Sequence, residues 1–476
     1  MSSDVVSAIA QSLKLSLAVK VLNFVINVLV VRGASMPDLG KIHVSLQLLL
    51  SACLFMLKEG FRRAALRDSD TDNGHRVMTL GLLATILLII PVGFCAYSLA
   101  TGERLLLLAI LAAAVTAEAA AELPLFMHVA TRGSLTIRNA CDMVSGLVRS
   151  VALIAGVALL GDVPLAFALA QLCAAVAVLV IALRGLPPSS LFRRFALPTS
   201  ISFEMIIMSV QKFFLAEGEK MLSVALLSPE AIGQLALVNN VGSLILRLIF
   251  APIEDIASSA LAVQKSSPQS RMKTLQSIFL IQVSIALLAI AFGPPCARAA
   301  LHILYGSQWS ASDAVVLLLQ SYCFLLLPFA ANGSLEAYFF ATAAAPRITS
   351  SLAAQWVAFA ALVAVSWACL PALGPLAILL GNSVSMLLRS LHCLTIFDSA
   401  AQPLHPQLKP VALRIAAGAA AARLALFSLP EHWLLPPASP SRAALTQCAV
   451  VGAVALLTLL SVRRPFTSAL TSVKSS

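Results

Sequence analysis

Charge is what this chain has least of. Across 476 residues, Asp, Glu, Lys and Arg make up 11%, against about a quarter in soluble globular domains. Beside 59% hydrophobic residues, that scarcity excludes a water-soluble fold. Also missing is any loop long enough to hold a separate domain; the largest candidates are residues 58–76, 184–198 and 399–410. No G-x-x-x-x-G-K-S/T occurs, so the chain has no phosphate cradle of an ATP-driven motor. There is no H-E-x-x-H, no G-x-S-x-G and no C-x-x-C, and the seven histidines are scattered. Catalytic residues, a metal and a cofactor are accordingly not expected. The nine cysteines are odd in number and all but Cys296 fall in apolar stretches, where a thiol behaves as a small hydrophobe. The N-terminal apolar stretch, Leu13 to Val31, lacks a small-residue cleavage site and reads as a first span rather than a signal peptide.

What is present is a succession of apolar stretches near the length of about 20 residues that a helical crossing needs. Fourteen spans are predicted: 11–31, 42–57, 77–98, 105–127, 139–159, 163–183, 200–226, 231–262, 274–293, 312–339, 348–370, 373–397, 411–429 and 443–462. Alternate loops and the C-terminal tail then hold 18 Lys/Arg, and the opposite side five. The formal charge of +11 is thus a positive-inside bias, which puts both termini in the cytosol. The Pro- and Arg-containing segment 184–198 is the expected cytosolic linker between an N-terminal six-helix bundle, 1–183, and a C-terminal one, 199–398; residues 399–476 add a linker, two peripheral helices and a tail. With six spans per half, any repeat is parallel about the membrane normal. The sequon Asn332-Gly333-Ser334 lies inside a span and reads as unused.

Several spans carry charges at depths where lipid makes them expensive. Helical spacing groups them into faces: Lys20, Asn23 and Asn27; Asp142, Ser145 and Arg149; Asn240, Ser243, Arg247 and Glu254; Asn382, Ser385 and Arg389. Lys212, Glu217, Glu219 and Lys220 cluster in span seven, Glu118 and Glu122 in span four, Asn332 and Glu336 in span ten. Pro252 should kink span eight near its end. Two readings stand side by side. In one, the charges pair with each other and hold helices together. In the other, Lys20, Asn27, Arg149, Lys212, Lys220, Asn240, Arg247, Asn382 and Arg389 line a partly cationic cavity, and the carboxylates Glu118, Glu122, Asp142, Glu217, Glu219, Glu254 and Glu336 pair helices around it.

The order of motifs resembles the Rft family of endoplasmic-reticulum membrane proteins, in the multidrug/oligosaccharidyl-lipid/polysaccharide exporter superfamily. Phe24-Val25-Ile26-Asn27 precedes Arg32, and Lys58-Glu59-Gly60-Phe61-Arg62-Arg63-Ala64 is close to the family's Arg-Glu-Ala-Phe-Arg-Arg-Ala. Then come Glu217-Gly218-Glu219-Lys220, and Val238-Asn239-Asn240-Val241-Gly242-Ser243-Leu244 with Arg247, Phe250, Pro252, Ile253 and Glu254. Tyr305-Gly306, Tyr322-Cys323, Asn332-Gly333, Glu336-Ala337 and Asn382, Met386 and Arg389 complete the set. The chain departs from the pattern at Glu122-Leu123-Pro124, where the family often has Glu-Pro, and at Asp142 and Arg149, where it often has Glu and Lys. The Ala-rich ending after Gln402 carries no recognisable family motif.

The resemblance implies an all-α polytopic membrane protein of the endoplasmic reticulum that is not an enzyme. Its task would be translocation of a dolichol-diphosphate-linked oligosaccharide for N-glycosylation, from the cytosolic to the lumenal face by alternating access. Its partners would be that lipid and the bilayer, with neither nucleic acid nor nucleotide. Arg and Lys would suit the diphosphate, and Glu59, Arg62 and Arg63 would form a cytosolic motif. An ion-coupled multidrug-type antiporter, which favours acidic cavity residues, and a non-transporting accessory protein of the same pathway are the alternatives.

Overall fold

The computed structural model of the chain describes residues 22–67, 70–99, 105–132, 136–184, 196–198, 203–254, 268–342, 345–395, 412–418, 420–421, 449–455 and 457–458. Lys20, most of segment 184–198, the loop 399–410 and much of the last two expected spans lie outside the described residues. Every regular element among the described residues is helical. Among the described residues, ten helices are long and apolar enough to cross a membrane, which makes this a multi-pass membrane protein.

Contacts divide the chain into two compact units, Met1–Ala225 and Leu226–Ser476. In the first, α1 is described as Leu22–Gly33. Helix α2 runs from Met36 to Arg67 without a break in three α-helical segments, Met36–Gly40, Gln47–Phe55 and Arg62–Arg67, joined by π-helical segments Lys41–Leu46 and Met56–Phe61. Then follow α3 Thr71–Leu99, α4 Leu105–Arg132, α5 Thr136–Leu160, α6 Val163–Leu183 and α7 Phe203–Leu226. Helix α7 is not among the ten apolar spans, because Lys212, Glu217, Glu219 and Lys220 lie along it. The second unit holds α8, Pro229–Ile245 with a π-helical continuation Leu246–Phe250, α9 Pro268–Tyr305, α10 Asp313–Thr342, α11 Ala345–Leu373 and α12 Leu376–Leu394.

Helix ends follow from short polar signals. Ser35, Asp162 and Ser228 each accept a hydrogen bond from a backbone N–H of the first turn, and each is followed by Pro at the start of its helix, where the missing N–H costs nothing. Gly161, Gly306 and Gly374, each just past a helix, have positive φ of 66°, 95° and 55°, which only glycine adopts readily. Two boundaries differ from the sequence reading. The motif at 58–64 is not in a loop, because α2 stays helical to Arg67. Span nine, placed at 274–293, is a 38-residue helix that takes in Pro294, Pro295 and Cys296. The expected kink at Pro252 is preceded by the π-helical turn. Pro252 cannot donate to the carbonyl of Leu248, and the wider turn, Leu246–Phe250, sits over that gap.

In the first unit, Leu50, Leu54 and Leu57 of α2 pack with Val77 and Met78 of α3 and Leu107, Leu111, Val115 and Phe126 of α4. Helices α5 and α6 pack most extensively there; at their crossing Gly156 faces Ala166 so closely that any side chain would collide. In the second unit α9 packs along α10, α11 along α12, and α10 against α12. Outward faces carry Leu87, Leu159, Trp367 and Leu391, all well exposed, as a lipid-facing surface requires.

Candidate functional site

Charged groups inside the first unit form a ladder between α2 and α4. Lys58 Nζ lies 2.5 Å from Glu118 Oε1, and Gln171 Nε2 of α6 donates to Glu118 Oε2 at 3.0 Å. One turn on, Arg62 approaches Glu122 at 3.7 Å and Glu59 at 3.7 Å, while Arg63 binds Glu59 at 2.5 Å. The Glu122 side chain is only 7% exposed, so Arg62 neutralises a carboxylate that would be costly alone. Lys58 and Glu59 sit on the π-helical segment, a distortion often found at functional positions. The ladder therefore joins the motif Glu59, Arg62 and Arg63 to the carboxylates Glu118 and Glu122, which sequence reasoning placed apart.

Other candidates of this unit are spread over α1, α5 and α7, with Arg149 of α5 close enough to Glu118 to act on it electrostatically. Arg149 Nη2 donates to Ser145 Oγ at 3.2 Å, one turn away on α5, while its buried Nε has no partner. Asp142, on the same helix, is exposed. Asn23 ties α1 to α5 by accepting from Ser150 Oγ at 2.8 Å. In α7, Lys220 pairs with Glu217 at 2.8 Å. Asn27, Lys212 and Glu219 each keep an interaction. Ser209 of α7 touches Met56 Sδ, at 3.4 Å, and Phe213 packs edge-on to Phe55, so α7 lies against the second π-helical segment of α2.

The second unit gathers motifs that are far apart in sequence. Arg247, on the π-helical turn of α8, donates from Nη2 to Asn240 O at 2.9 Å and Asn240 Oδ1 at 3.4 Å, and from Nε to Ser243 O at 3.4 Å. Asn240 Nδ2 donates in turn to the Tyr305 hydroxyl at 3.2 Å. Tyr322 of α10 presses its ring onto Gly242, where even a methyl group would overlap it. Arg247 has no carboxylate partner among the described residues.

The same helix continues to Glu254, whose Oε1 accepts from Gln282 Nε2 at 3.1 Å; Gln282 is fully buried and its Oε1 accepts from Ser334 Oγ. Gly333 backs onto the Glu254 carboxylate, with no room for a Cβ. Across α10 and α12, Arg389 makes a bidentate pair with Glu336, Nε–Oε1 2.8 Å and Nη2–Oε2 2.6 Å. Asn382 keeps an interaction of its own, and Asn332, 5% exposed, has an unpartnered Oδ1. Ser334 is 2% exposed, which keeps the sequon inside the helix bundle.

The search for charges missed the neutral partners. Gln171 is a single polar residue in an apolar run, and that isolation was its signal; Gln282 and Ser334 sit near other polar residues, Ser284 and Asn332, and only the packing singles them out. Tyr305 and Tyr322 were quoted as motif residues without a role; the structure puts both around Arg247.

A bundle of long apolar helices with ion pairs between them defines a polytopic helical membrane protein. The solved structures agree on fold. "Lipid II flippase MurJ, inward closed conformation" matches with a TM-score of 0.65 at 11% identity over 94% of this chain and 98% of that one. "Crystal structure of eukaryotic MATE transporter AtDTX14" matches at 0.53 with 15% identity, over 86% and 98%. In sequence, the family described as "Rft protein" matches residues 5–186 and 195–472, and the chain belongs to that family. The match runs through the Ala-rich ending, which the motifs alone had left aside. Relatives include the "Man(5)GlcNAc(2)-PP-dolichol translocation protein RFT1" of Saccharomyces cerevisiae, 31% identical over 189 residues, 38% of this chain and 33% of the relative. The protein of the same name from Mus musculus is 25% identical over 388 residues, 70% of each chain. The chain thus spans about a third of the yeast relative it matches.

Proposed function

We propose that this protein translocates a dolichol-diphosphate-linked oligosaccharide from the cytosolic to the lumenal leaflet of the endoplasmic reticulum, by alternating access of its helical units and without enzymatic chemistry. The observation that carries the reading is Arg247. Lys58, Arg62, Lys220 and Arg389 each have a carboxylate, whereas Arg247 is held by backbone oxygens and an amide. An exposed guanidinium with no carboxylate partner among the described residues is open to an anion, and its planar fork fits two phosphate oxygens. The relatives' printed name, with its PP-dolichol substrate, supplies an anion of that kind.

The same geometry counts against a cation antiporter. Glu118, Glu122, Glu217 and Glu336 already have basic partners, so these carboxylates are not waiting for a cationic drug. In this reading the lipid tail stays in the bilayer while the head group crosses, and both termini lie in the cytosol. Reconstitution of the pure protein into vesicles with a labelled oligosaccharide diphospholipid tests it. Exposure of label on the opposite leaflet at a rate above protein-free vesicles is expected. A rate equal to that of protein-free vesicles, with glycosylation in cells still dependent on the chain, would instead favour an accessory role.

A further inference from the structure

Arg149 and Glu118 share a depth in the first unit. Arg149 lies near the middle of the apolar span Ala140–Leu160, and Glu118 near the middle of Leu105–His128. A charge at that depth is costly and marks a functional position by default. Glu118 is fully engaged, with Lys58 Nζ at 2.5 Å from Oε1 and Gln171 Nε2 at 3.0 Å from Oε2. Arg149 is half-buried and close enough to act on Glu118 electrostatically, yet it forms no ion pair among the described residues. Its Nη2 donates to Ser145 Oγ at 3.2 Å, and its buried Nε donates to nothing. We propose that Arg149 contacts a phosphate of the lipid-linked substrate, and that Lys58 and Gln171 are positioning residues that hold Glu118 away from Arg149. The choice of ligand rests on the translocation reading.

Competition for one guanidinium carries the assignment. A carboxylate free to turn would pair with Arg149 and occupy the N–H groups that a phosphate needs. Here both oxygens of Glu118 are spent, one on a counter-charge and one on an amide. Asp142, on the same helix as Arg149, is exposed and forms no ion pair among the described residues. Ser145, one turn back, orients the guanidinium without neutralising it. The N–H groups left over suit two oxygens of one phosphate. Helix pairing alone accounts for Lys58 with Glu118, but it leaves Arg149 charged at mid-span for no gain.

The test is equilibrium binding of farnesyl diphosphate to the full-length protein in detergent micelles, with farnesol as the uncharged control. Arg149→Gln should weaken diphosphate binding on the order of tenfold, as the loss of a charge-assisted hydrogen bond does. Lys58→Met should weaken it several-fold, although Lys58 does not touch the ligand, because Glu118 then turns to Arg149. Adding Glu118→Gln should restore the affinity, since a neutral amide does not neutralise the guanidinium. Gln171→Leu strands no charge and is a second route: it should act in the same direction and be restored by the same Glu118→Gln. A role confined to joining helices would lower thermal stability in these variants and leave the affinity of the folded protein unchanged. That result would overturn the proposal, as would a loss in Lys58→Met that Glu118→Gln does not restore, or farnesol binding as tightly as the diphosphate. Arg247→Gln separates this inference from the translocation reading. Loss of binding there, with parent affinity in Arg149→Gln, would sink the Arg149 assignment alone. The full pattern of loss and restoration, in a protein that moves no lipid in vesicles, would uphold the phosphate contact and overturn the translocation reading.

Discussion

Arg247 and Arg389 both belong to the second unit, Arg247 exposed and Arg389 half-buried, and the structure gives them opposite company. Arg389 has a carboxylate in bidentate contact; Arg247 has only Asn240 and Ser243 oxygens. The two should respond differently to neutral replacement. For Arg389, Arg389→Gln alone strands Glu336 and should destabilise the protein by on the order of 3 kcal/mol. Arg389→Gln with Glu336→Gln should recover most of the thermal stability, and a double variant as unstable as the single one would contradict the pairing. For Arg247, Arg247→Lys keeps the charge but loses the fork, so translocation should fall partially. Arg247→Ala should lower it on the order of tenfold or more, since a charge-assisted hydrogen bond contributes about 1.5–3 kcal/mol. Adding Glu217→Gln or Glu219→Gln to Arg247→Gln should not restore the rate, because Glu217 is engaged with Lys220. Full rescue in vesicles by either pair would show that Arg247 serves as a counter-ion. The stripe Asn240, Ser243, Arg247 was legible from helical periodicity alone. Its tyrosines were not, because Tyr305 and Tyr322 arrive from other helices and only the packing on Gly242 brings one of them in.

Among the elements, α2 departs most from what its sequence announces. Apolar periodicity ends near residue 57, so the charges that follow read as a loop; instead they continue the helix because Glu118 and Glu122 on α4 receive them. A helix that ends in Lys58, Glu59, Arg62 and Arg63 has no apolar reason to persist, and the carboxylates that stabilise it lie some 60 residues away. The π-helical segments are not legible in local composition either; in the second of them Gly60 lies so close to Ser209 that a side chain there would collide. Helix existence was legible nearly throughout, since each apolar stretch had the length to span. The ladder predicts an asymmetry at the end of α2. Arg62→Ala exposes a nearly buried Glu122 and should lower both thermal stability and translocation. Arg63→Ala removes only a partner of Glu59, itself still served by Arg62, and Arg63 is 47% exposed, so its cost should be near the roughly 0–1 kcal/mol of surface pairs. Equal losses in the two variants, measured on protein still inserted in the membrane, would mean that the motif acts through lipid or a partner and not through α4.

For the whole molecule, orientation is the property that the helices cannot supply, because a bundle is equally well packed either way up. The signal that distinguishes the two sides is the charge between the fourteen expected spans, 18 Lys/Arg against five; four of the 18, Lys58, Arg62, Arg63 and Arg67, sit on the end of α2 and not in a loop, and a bias of this kind acts during insertion. Asp70, between α2 and α3, belongs to the basic side, and so does Ser475 if the number of crossings between them is even. Ser475 lies outside the described residues, as does much of the chain after residue 395, so its side depends on the two apolar stretches at 411–429 and 443–462 both crossing. A variant with all nine cysteines replaced, carrying a single cysteine at position 70 or 475, settles the count. A membrane-impermeant maleimide added to sealed microsomes should label both, and neither should need detergent. Labelling at 70 alone would leave one terminal stretch lying on the surface or folding back. Labelling at 475 alone would put the basic loops in the lumen, and the proposed direction of transport would then have to be read from the opposite face.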